Sequence, residues 1–313
     1  MPILPSDFIT LGRTLGIVLL TMFLASPLAA QQEQIALDPD AAGVITHLQF
    51  QPFAPTPQPR VQDWQLLPEG LLYRSYLAGP KESRLGTSWL HDPQRGWVWD
   101  STLGGRVGLA RLEAADTVVP SGLQIDLEGA AFPRLDVEEA SDLESADFRV
   151  GVPLTWRRGP MQAKLALYHL SSHVGDEFLR RNQILTRTNF SRNAVVVGQG
   201  LFLTPEWRIY AEADYAFDSD GGCEPWWFQF GTEFAPSAAT GPRGAPFLAA
   251  NALLRQEADF GGTWSFMAGW SWRGNNDGPL LRVGAQAAFG KTSQLEFSDR
   301  SESLLGFGLW YDH

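Results

Sequence analysis

The chain has 313 residues, enough for one large domain or two small ones, and a formal net charge of −11. This acidic balance argues against nucleic acid as a partner, because phosphate binding needs a basic surface. Cys223 is the single cysteine, so an intrachain disulfide and a cysteine-based metal site are excluded. The 12 Trp, 19 Phe and 31 Gly are typical of a membrane barrel, where aromatic side chains form girdles and glycine fits crowded strand positions.

The first 30 residues have the layout of a secretory signal peptide. Arg13 supplies a positive charge, Leu15 to Ala25 form an apolar run, and small residues follow before Gln31. The run is too short for a comfortable transmembrane helix, which needs about 20 apolar residues. We therefore predict that residues 1–30 direct export.

Residues 31–82 precede the regular part of the chain. They are polar, they include the proline-rich stretch PFAPTPQPR, and they match neither a long strand nor a long helix. We predict a periplasmic N-terminal segment over residues 31–82 and a barrel domain over residues 83–313.

From residue 83 onward, segments of about ten residues alternate apolar with polar or small side chains, as transmembrane strands do. In one segment Ile209, Tyr215 and Phe217 share a face, whereas Arg208 and Glu212 share the other. In a barrel the apolar face meets lipid and the charged face fills a narrow lumen with salt bridges. The predicted strands are residues 84–91, 97–110, 122–132, 147–157, 161–173, 193–203, 206–217, 225–235, 246–258, 262–273, 279–290 and 303–312.

Strand number and loop length favour an outer-membrane barrel over a soluble, exported β-rich protein, which is the rival interpretation. Twelve is an even number, and the connections RRGP, TPE and GNNDG are short, as periplasmic turns are. The connections predicted to be long, polar and outward are Leu135–Ala146, Gly175–Arg192 and Lys291–Glu302. The predicted fold class is all-β, an antiparallel transmembrane β-barrel of about twelve strands in the outer membrane.

The fifth predicted strand breaks the apolar pattern of its lipid-facing side. Leu165 and Leu167 keep the pattern, but the next residues in phase are His169, Ser171 and His173. Polar groups are costly in hydrocarbon, yet this trio lies at the outer end of the strand, where outer-leaflet lipids are in reach. Residues two apart on a strand lie about 6.5–7 Å apart on one face, a gap that an imidazole can bridge. A serine with an adjacent base is a nucleophile, so Ser171 and His169 are candidates, with His173 as the alternative base.

A His-x-Ser pair on the outer face of a barrel strand resembles the active sites of outer-membrane phospholipase A and the lipid A deacylase barrels. Those families hydrolyse acyl esters with serine as nucleophile and histidine as base, and they orient the histidine with asparagine or glutamate. The resemblance implies an orienting residue from the next strand or its entry. Asn193 fits by phase, and Asn189 and Glu177 are alternatives. The phospholipase also uses calcium, for which Asp176 and Glu177 are candidate ligands.

Of the phospholipase motif, this chain has only the His-x-Ser pair. The phospholipase has Asn-Gly after its serine, whereas this chain has Ser172 and His173. The mature chain, including RSYLAGPKESRLG and HLSSHVGDEF, also resembles a family of bacterial barrel-like proteins classed as a domain of unknown function. That resemblance implies no activity, and no cofactor is implied beyond the candidate calcium.

Two hypotheses follow. The first is a surface acyl hydrolase acting on outer-membrane lipids, and the second is a non-enzymatic barrel: a narrow pore, a lipid- or partner-binding protein, or a structural anchor. The sequence leaves open whether the protein forms a homodimer and whether a periplasmic partner docks on residues 31–82.

Overall fold

A computed structural model describes residues 63–113, 119–183, 188–275 and 278–313. Twelve antiparallel strands, β2 to β13, form a closed barrel, because each pairs with its neighbours in sequence and the last pairs with the first. The short strand β1 (Trp64–Leu66) extends the wall beside β3. The predicted all-β, twelve-stranded architecture is therefore confirmed.

Each predicted strand is present, with ends that differ from the prediction by a few residues. The strands of the barrel are β2 (Leu85–Asp92), β3 (Gly96–Glu113), β4 (Gly122–Asp136), β5 (Asp142–Arg158), β6 (Met161–Val174), β7 (Ser191–Phe202), β8 (Trp207–Asp220), β9 (Trp226–Phe234), β10 (Ala245–Arg255), β11 (Gly262–Arg273), β12 (Leu280–Lys291) and β13 (Ser301–Asp312). The α-helix α1 (Asp176–Asn182) follows β6. Among the described residues, no helix has the length and apolar character to cross a membrane.

The two faces of the wall have opposite chemistry, as the alternation predicts. Along β8, Ile209 and Phe217 are exposed on the outside, whereas Arg208 and Glu212 are buried inside. Leucine, valine and phenylalanine side chains on β5, β6 and β13 are likewise exposed outside, with exposed fractions of 46–65%. An apolar exterior around a polar interior is the arrangement that lipid requires of a barrel.

The barrel has a turn end and a loop end. The turn end carries the two-residue turn between β5 and β6, both ends of the described chain, and the connections after β7, β9 and β11. The loop end carries α1 and the connection of residues 292–300. The predicted long connection Leu135–Ala146 is wrong in extent, because β4 continues to Asp136 and β5 begins at Asp142, leaving a five-residue turn.

The segment of residues 70–84, which we call the plug, runs through the lumen. Leu72, Tyr76 and Ala78 are fully buried. The Tyr76 hydroxyl donates to Glu212 Oε2 at 2.8 Å, and its ring stacks on Tyr210 with a centroid distance of 3.8 Å. The predicted periplasmic segment 31–82 therefore ends inside the barrel, because its last dozen residues bury apolar and aromatic groups there.

A single arginine organises the turn at the end of the plug. The Arg84 guanidinium donates to the carbonyl oxygens of Leu77 at 2.7 Å and Tyr76 at 2.6 Å, and it lies 3.2 Å from Asp312 Oδ1 on β13. These bonds satisfy backbone groups that have no sheet partner. They tie the plug to the last strand of the wall.

The rest of the lumen is filled by ion pairs between strands, as predicted for its charged residues; five of them join neighbouring strands, and the sixth, Lys164–Glu212, joins β6 to β8. Their N–O distances are 2.5–3.0 Å and their side chains are at most a tenth exposed. The pairs are Arg106–Asp126, Arg149–Glu128, Lys164–Glu212, Arg192–Asp214, Arg208–Glu233 and Arg282–Asp312. A cavity beside the plug, lined by Lys81, Arg134 and Gln286, has a volume of only about 60 Å³, room for a few waters.

The loop end is covered by residues 292–300, which we call the cap. The cap leaves β12 and reaches strands on the opposite side of the ring, where the Leu295 amide donates to Asp147 Oδ2 at 3.4 Å and the Glu296 amide donates to Ser172 Oγ at 3.1 Å. Asp147 also binds Lys81 of the plug through a buried ion pair. Plug and cap therefore meet at one carboxylate.

The filled lumen predicts that the barrel does not conduct ions. Single-channel recordings in planar bilayers should be silent for the full barrel, whereas deletion of residues 70–82 should produce open steps, because it removes the plug and unpairs lumen charges. Stable steps from the undeleted protein would contradict this prediction.

The predicted signal peptide, residues 1–30, and residues 31–62 lie outside the described residues. Export directed by residues 1–30 stays a prediction.

Candidate functional site

Strand β6 presents the predicted trio on the outside of the barrel. Leu170 and Ser172, the residues between, are buried with exposed fractions of 0% and 1%. His169 and His173 are exposed and Ser171 is half-buried, in phase with the outward-facing leucines of the same strand. The trio is near the loop end, since β6 begins at the short turn and ends at Val174.

Register brings Asn193 of β7 directly opposite His169. His169 Nδ1 lies 2.9 Å from Asn193 Oδ1, a hydrogen-bonding distance. The Asn193 Nδ2 group in turn donates to Asp218 Oδ2 of β8 at 2.7 Å. A row of three hydrogen-bonded side chains thus crosses three strands on the outer face.

Ser171 and His173 stand beside this row without joining it. Across the described residues, neither side chain makes a hydrogen bond. Ser171 pairs in register with Phe148 of β5 and Ser191 of β7, and the His173 ring lies 5.8 Å from the Phe148 ring. The Ser171 hydroxyl is therefore free to rotate, and His169 is the histidine of the two that has an orienting partner.

The alternative orienting residues are not at His169. Asn189 lies in the connection before β7 with a φ of 52°, and Glu177 is exposed in the first turn of α1. Neither has a hydrogen bond to His169 within the part of the chain that the structure describes. Of the three predicted candidates, the structure brings Asn193 to the histidine.

The structure adds no support for a calcium site at Asp176 and Glu177. Both carboxylates lie in the first turn of α1. In the described ranges, no group of three or more His, Cys, Asp or Glu side chains converges to hold a metal ion. Calcium at this position stays a prediction.

Cys223 offers a different nucleophile and is unsuited to the role. It lies in the turn between β8 and β9, where burial raises the pKa of its thiol to about 12. A cysteine acts as a nucleophile in its thiolate form, so a protonated thiol is inert. Ser171 is thus the stronger candidate.

Sequence reasoning missed Asp218, because the predicted strand ended at residue 217 and its even-numbered residues point inward. The register shifts between Asn193 and Ala194: Asn193 faces Asp218, whereas Ala194 faces Ala216, so Phe217 is an extra residue on β8. Such a β-bulge reverses the phase of the strand beyond it. The bulge turns Asp218 to the outside, and the sequence alone has no signal for it.

Comparison with known proteins gives a family. The model of DUF1207, described as a protein of unknown function, matches residues 38–312. The chain belongs to this family. Among curated proteins no match was found.

Solved structures similar to this DUF1207 member include outer-membrane barrels. The KdgM porin in complex with disordered oligogalacturonate has a TM-score of 0.42 at 7% identity, over 73% of this chain and 99% of the porin. Outer membrane phospholipase A from Escherichia coli has a TM-score of 0.47 at 11% identity, over 76% of this chain and 92% of the phospholipase. The calcium-bound dimer of the Salmonella typhi phospholipase has a TM-score of 0.47 at 11% identity, covering 74% of this chain and 91% of its own. Identities this low leave the function to be argued from the residues of this chain.

Proposed function

We propose that this protein is an outer-membrane barrel that hydrolyses acyl esters of membrane lipids. Ser171 is the nucleophile, His169 the general base and Asn193 the residue that orients the base. The observation that carries the proposal is the 2.9 Å contact between His169 Nδ1 and Asn193 Oδ1, on the outer face of the wall beside Ser171. A base held by an orienting group next to a serine is the requirement for nucleophilic catalysis.

The contact between His169 and Asn193 determines which ring nitrogen of His169 carries the proton. Asn193 Oδ1 can only accept, so it holds the proton of His169 on Nδ1 and leaves the lone pair on Nε2. Rotation of the free Ser171 hydroxyl brings its proton to Nε2. The oxygen then attacks the ester carbonyl, and His169 returns the proton to the departing alcohol. Water repeats the sequence on the acyl-serine, releasing the fatty acid and restoring Ser171.

The absence of a Ser171–His169 hydrogen bond among the described residues is compatible with this chemistry. Catalytic hydrogen bonds in enzymes without substrate are often long and tighten when the substrate binds. Ser171 and His169 lie two residues apart on one face of one strand, about 6.5–7 Å between their backbone positions, a gap that an imidazole can bridge.

The surroundings favour a lipid as substrate. Below the trio, Leu165 and Leu167 are 49% and 57% exposed, and Phe148 beside Ser171 is 46% exposed. These side chains are in place to contact an acyl chain, while the histidines and Asp218 lie toward the loop end, at the depth of head groups and ester bonds. The substrate would approach sideways from the membrane, because the lumen is filled.

We also propose the orientation. The two-residue turn between β5 and β6 is typical of the periplasmic side of an outer-membrane barrel, and the 16-residue connection between β6 and β7, the longest, lies at the loop end. On this basis we place the loop end, α1 and the cap at the cell surface. The lipid attacked would then belong to the outer leaflet.

The test is release of fatty acid from phospholipid by the purified barrel in detergent. Ser171→Ala should abolish release, because the nucleophile is lost. Ser191→Ala is the matched control, since Ser191 is a half-buried serine directly opposite on β7 and should be dispensable. Equal release by wild type and Ser171→Ala would overturn the proposal.

If the hydrolase proposal failed, the alternative of a non-enzymatic barrel would remain. Fewer forms of that alternative are compatible with the filled lumen. The plug and cap argue against its narrow-pore form, since they fill the lumen and cover the loop end. What is left of this alternative is a closed barrel that binds a lipid or a partner, or anchors one.

A further inference from the structure

We infer that Asp218 is a positioning residue that fixes the orientation of the Asn193 amide and, through it, the tautomer of His169. This inference rests on the proposed function and deepens it, because it adds a fourth member to the Ser171, His169 and Asn193 arrangement. Its basis is the 2.7 Å hydrogen bond from Asn193 Nδ2 to Asp218 Oδ2, which lies in series with the 2.9 Å contact of Asn193 with His169.

The reason lies in the symmetry of an amide. An asparagine side chain has a donor end and an acceptor end of nearly equal size, so by shape alone Asn193 fits in two orientations. One orientation presents Oδ1 to His169 and requires a proton on Nδ1. The other presents Nδ2 and requires a bare Nδ1, which moves the proton of the neutral ring to Nε2. A ring protonated on Nε2 cannot take the proton of Ser171.

The carboxylate of Asp218 removes this ambiguity. An ionised carboxylate accepts hydrogen bonds and cannot donate one. It therefore binds the Nδ2 end of Asn193 and repels the Oδ1 end, which leaves Oδ1 for His169. A hydrogen bond to an ionised acceptor is also stronger than one between neutral groups.

The backbone is built to bring Asp218 to this position. Without the bulge at Phe217, the even-numbered residue 218 would point into the lumen, as Asp214 and Glu212 do. The bulge instead places Asp218 outside and opposite Asn193. Bulges are common where a strand must redirect a side chain next to a functional site.

The experiment combines activity with a direct reading of the tautomer. Asp218→Asn leaves the shape almost unchanged but allows the amide of Asn193 to turn either way. We expect kcat for fatty acid release to fall about 10- to 100-fold with little change in KM, as for loss of a group that orients a functional residue. Nitrogen-15 spectra of labelled histidine, assigned with a His169→Ala variant, should show His169 shifting from the Nδ1–H toward the Nε2–H form.

A compensating double variant separates positioning from simple folding damage. Asn193→Asp alone places two carboxylates side by side and should be poorly active. Asn193→Asp combined with Asp218→Asn restores one acceptor for His169 and one donor behind it, so its kcat should exceed that of the single Asn193→Asp variant. Asp220→Asn is the matched control, because it removes one negative charge from the same strand end without touching Asn193.

The outcomes distinguish the two proposals. An unchanged His169 tautomer in Asp218→Asn, or a double variant no better than Asn193→Asp, overturns the role of Asp218. If the wild-type barrel releases no fatty acid, the proposed function fails, but the nitrogen-15 spectra still decide whether Asp218 sets the tautomer.

Discussion

Replacing His169 with alanine is expected to remove as much hydrolytic activity as replacing Ser171, on the order of 10³-fold or more in kcat. In the proposed mechanism the two residues act as a unit, so the double variant should lose no more activity than either single variant. The measurement is the initial rate of fatty acid release from phospholipid dispersed in detergent, over a range of substrate concentrations. A fluorophosphonate probe should label Ser171 in the wild type and label it far more slowly in His169→Ala.

The matched control for this prediction is His173→Ala. His173 lies two residues further along the same face of β6, but it has no hydrogen-bonding partner among the described residues to set its ring. Its removal should change kcat by no more than a few-fold. A large loss in His173→Ala with retained activity in His169→Ala would assign the base to His173 and remove the role of Asn193.

The strands of the barrel wall could be predicted from sequence because the side-chain pattern within each strand is enough to identify it. The two-residue alternation of apolar and polar side chains indicates which face of the wall a residue such as Ile209 or Glu212 occupies. Glycine, proline and polar residues mark the turns. Once strands β6 and β7 are placed, their phase alone brings His169 and Asn193 to the same face. This is why the proximity of His169 and Asn193 was predictable.

The lumen could not be predicted in the same way. The plug has no regular period, and its contacts join distant parts of the chain: Tyr76 meets Glu212 across 136 residues and Leu77 meets Glu233 across 156. The sequence around a plug residue does not indicate which distant residue it contacts. The plug therefore looked like a free segment before the barrel.

The acidic run of residues 137–147 shows a second limit of prediction from sequence. Most of it lies in the connection Leu135–Ala146, which is predicted to be polar and outward, yet Glu144 and Asp147 are fully buried. Glu144 is paired with Arg95 at 2.7 Å, and Asp147 with Lys81. In a barrel the interior is polar, so an acidic residue gives the same signal whether it faces water or a buried cation.

Asp147 is accordingly the position where a single substitution should most weaken the closed lumen. Its carboxylate accepts hydrogen bonds from Lys81 of the plug, from Ser172 of β6 and from the Leu295 amide of the cap. Asp147→Asn keeps the size of the side chain but leaves the buried ammonium of Lys81 without its counter-charge. Breaking a buried ion pair in this way costs about 3–5 kcal/mol of unfolding free energy.

The measurement is urea unfolding of the refolded barrel in lipid vesicles, followed by tryptophan fluorescence. Asp136→Asn is the control, because the Asp136–Arg181 pair at the loop end is partly exposed and should contribute less than about 1 kcal/mol. The double variant Lys81→Met with Asp147→Asn removes both charges, so it should be more stable than the sum of the two single effects predicts. Additive losses would mean that the pair does not couple the plug to the wall, and that the lumen is held closed by the packing of Leu72, Tyr76 and Ala78 instead.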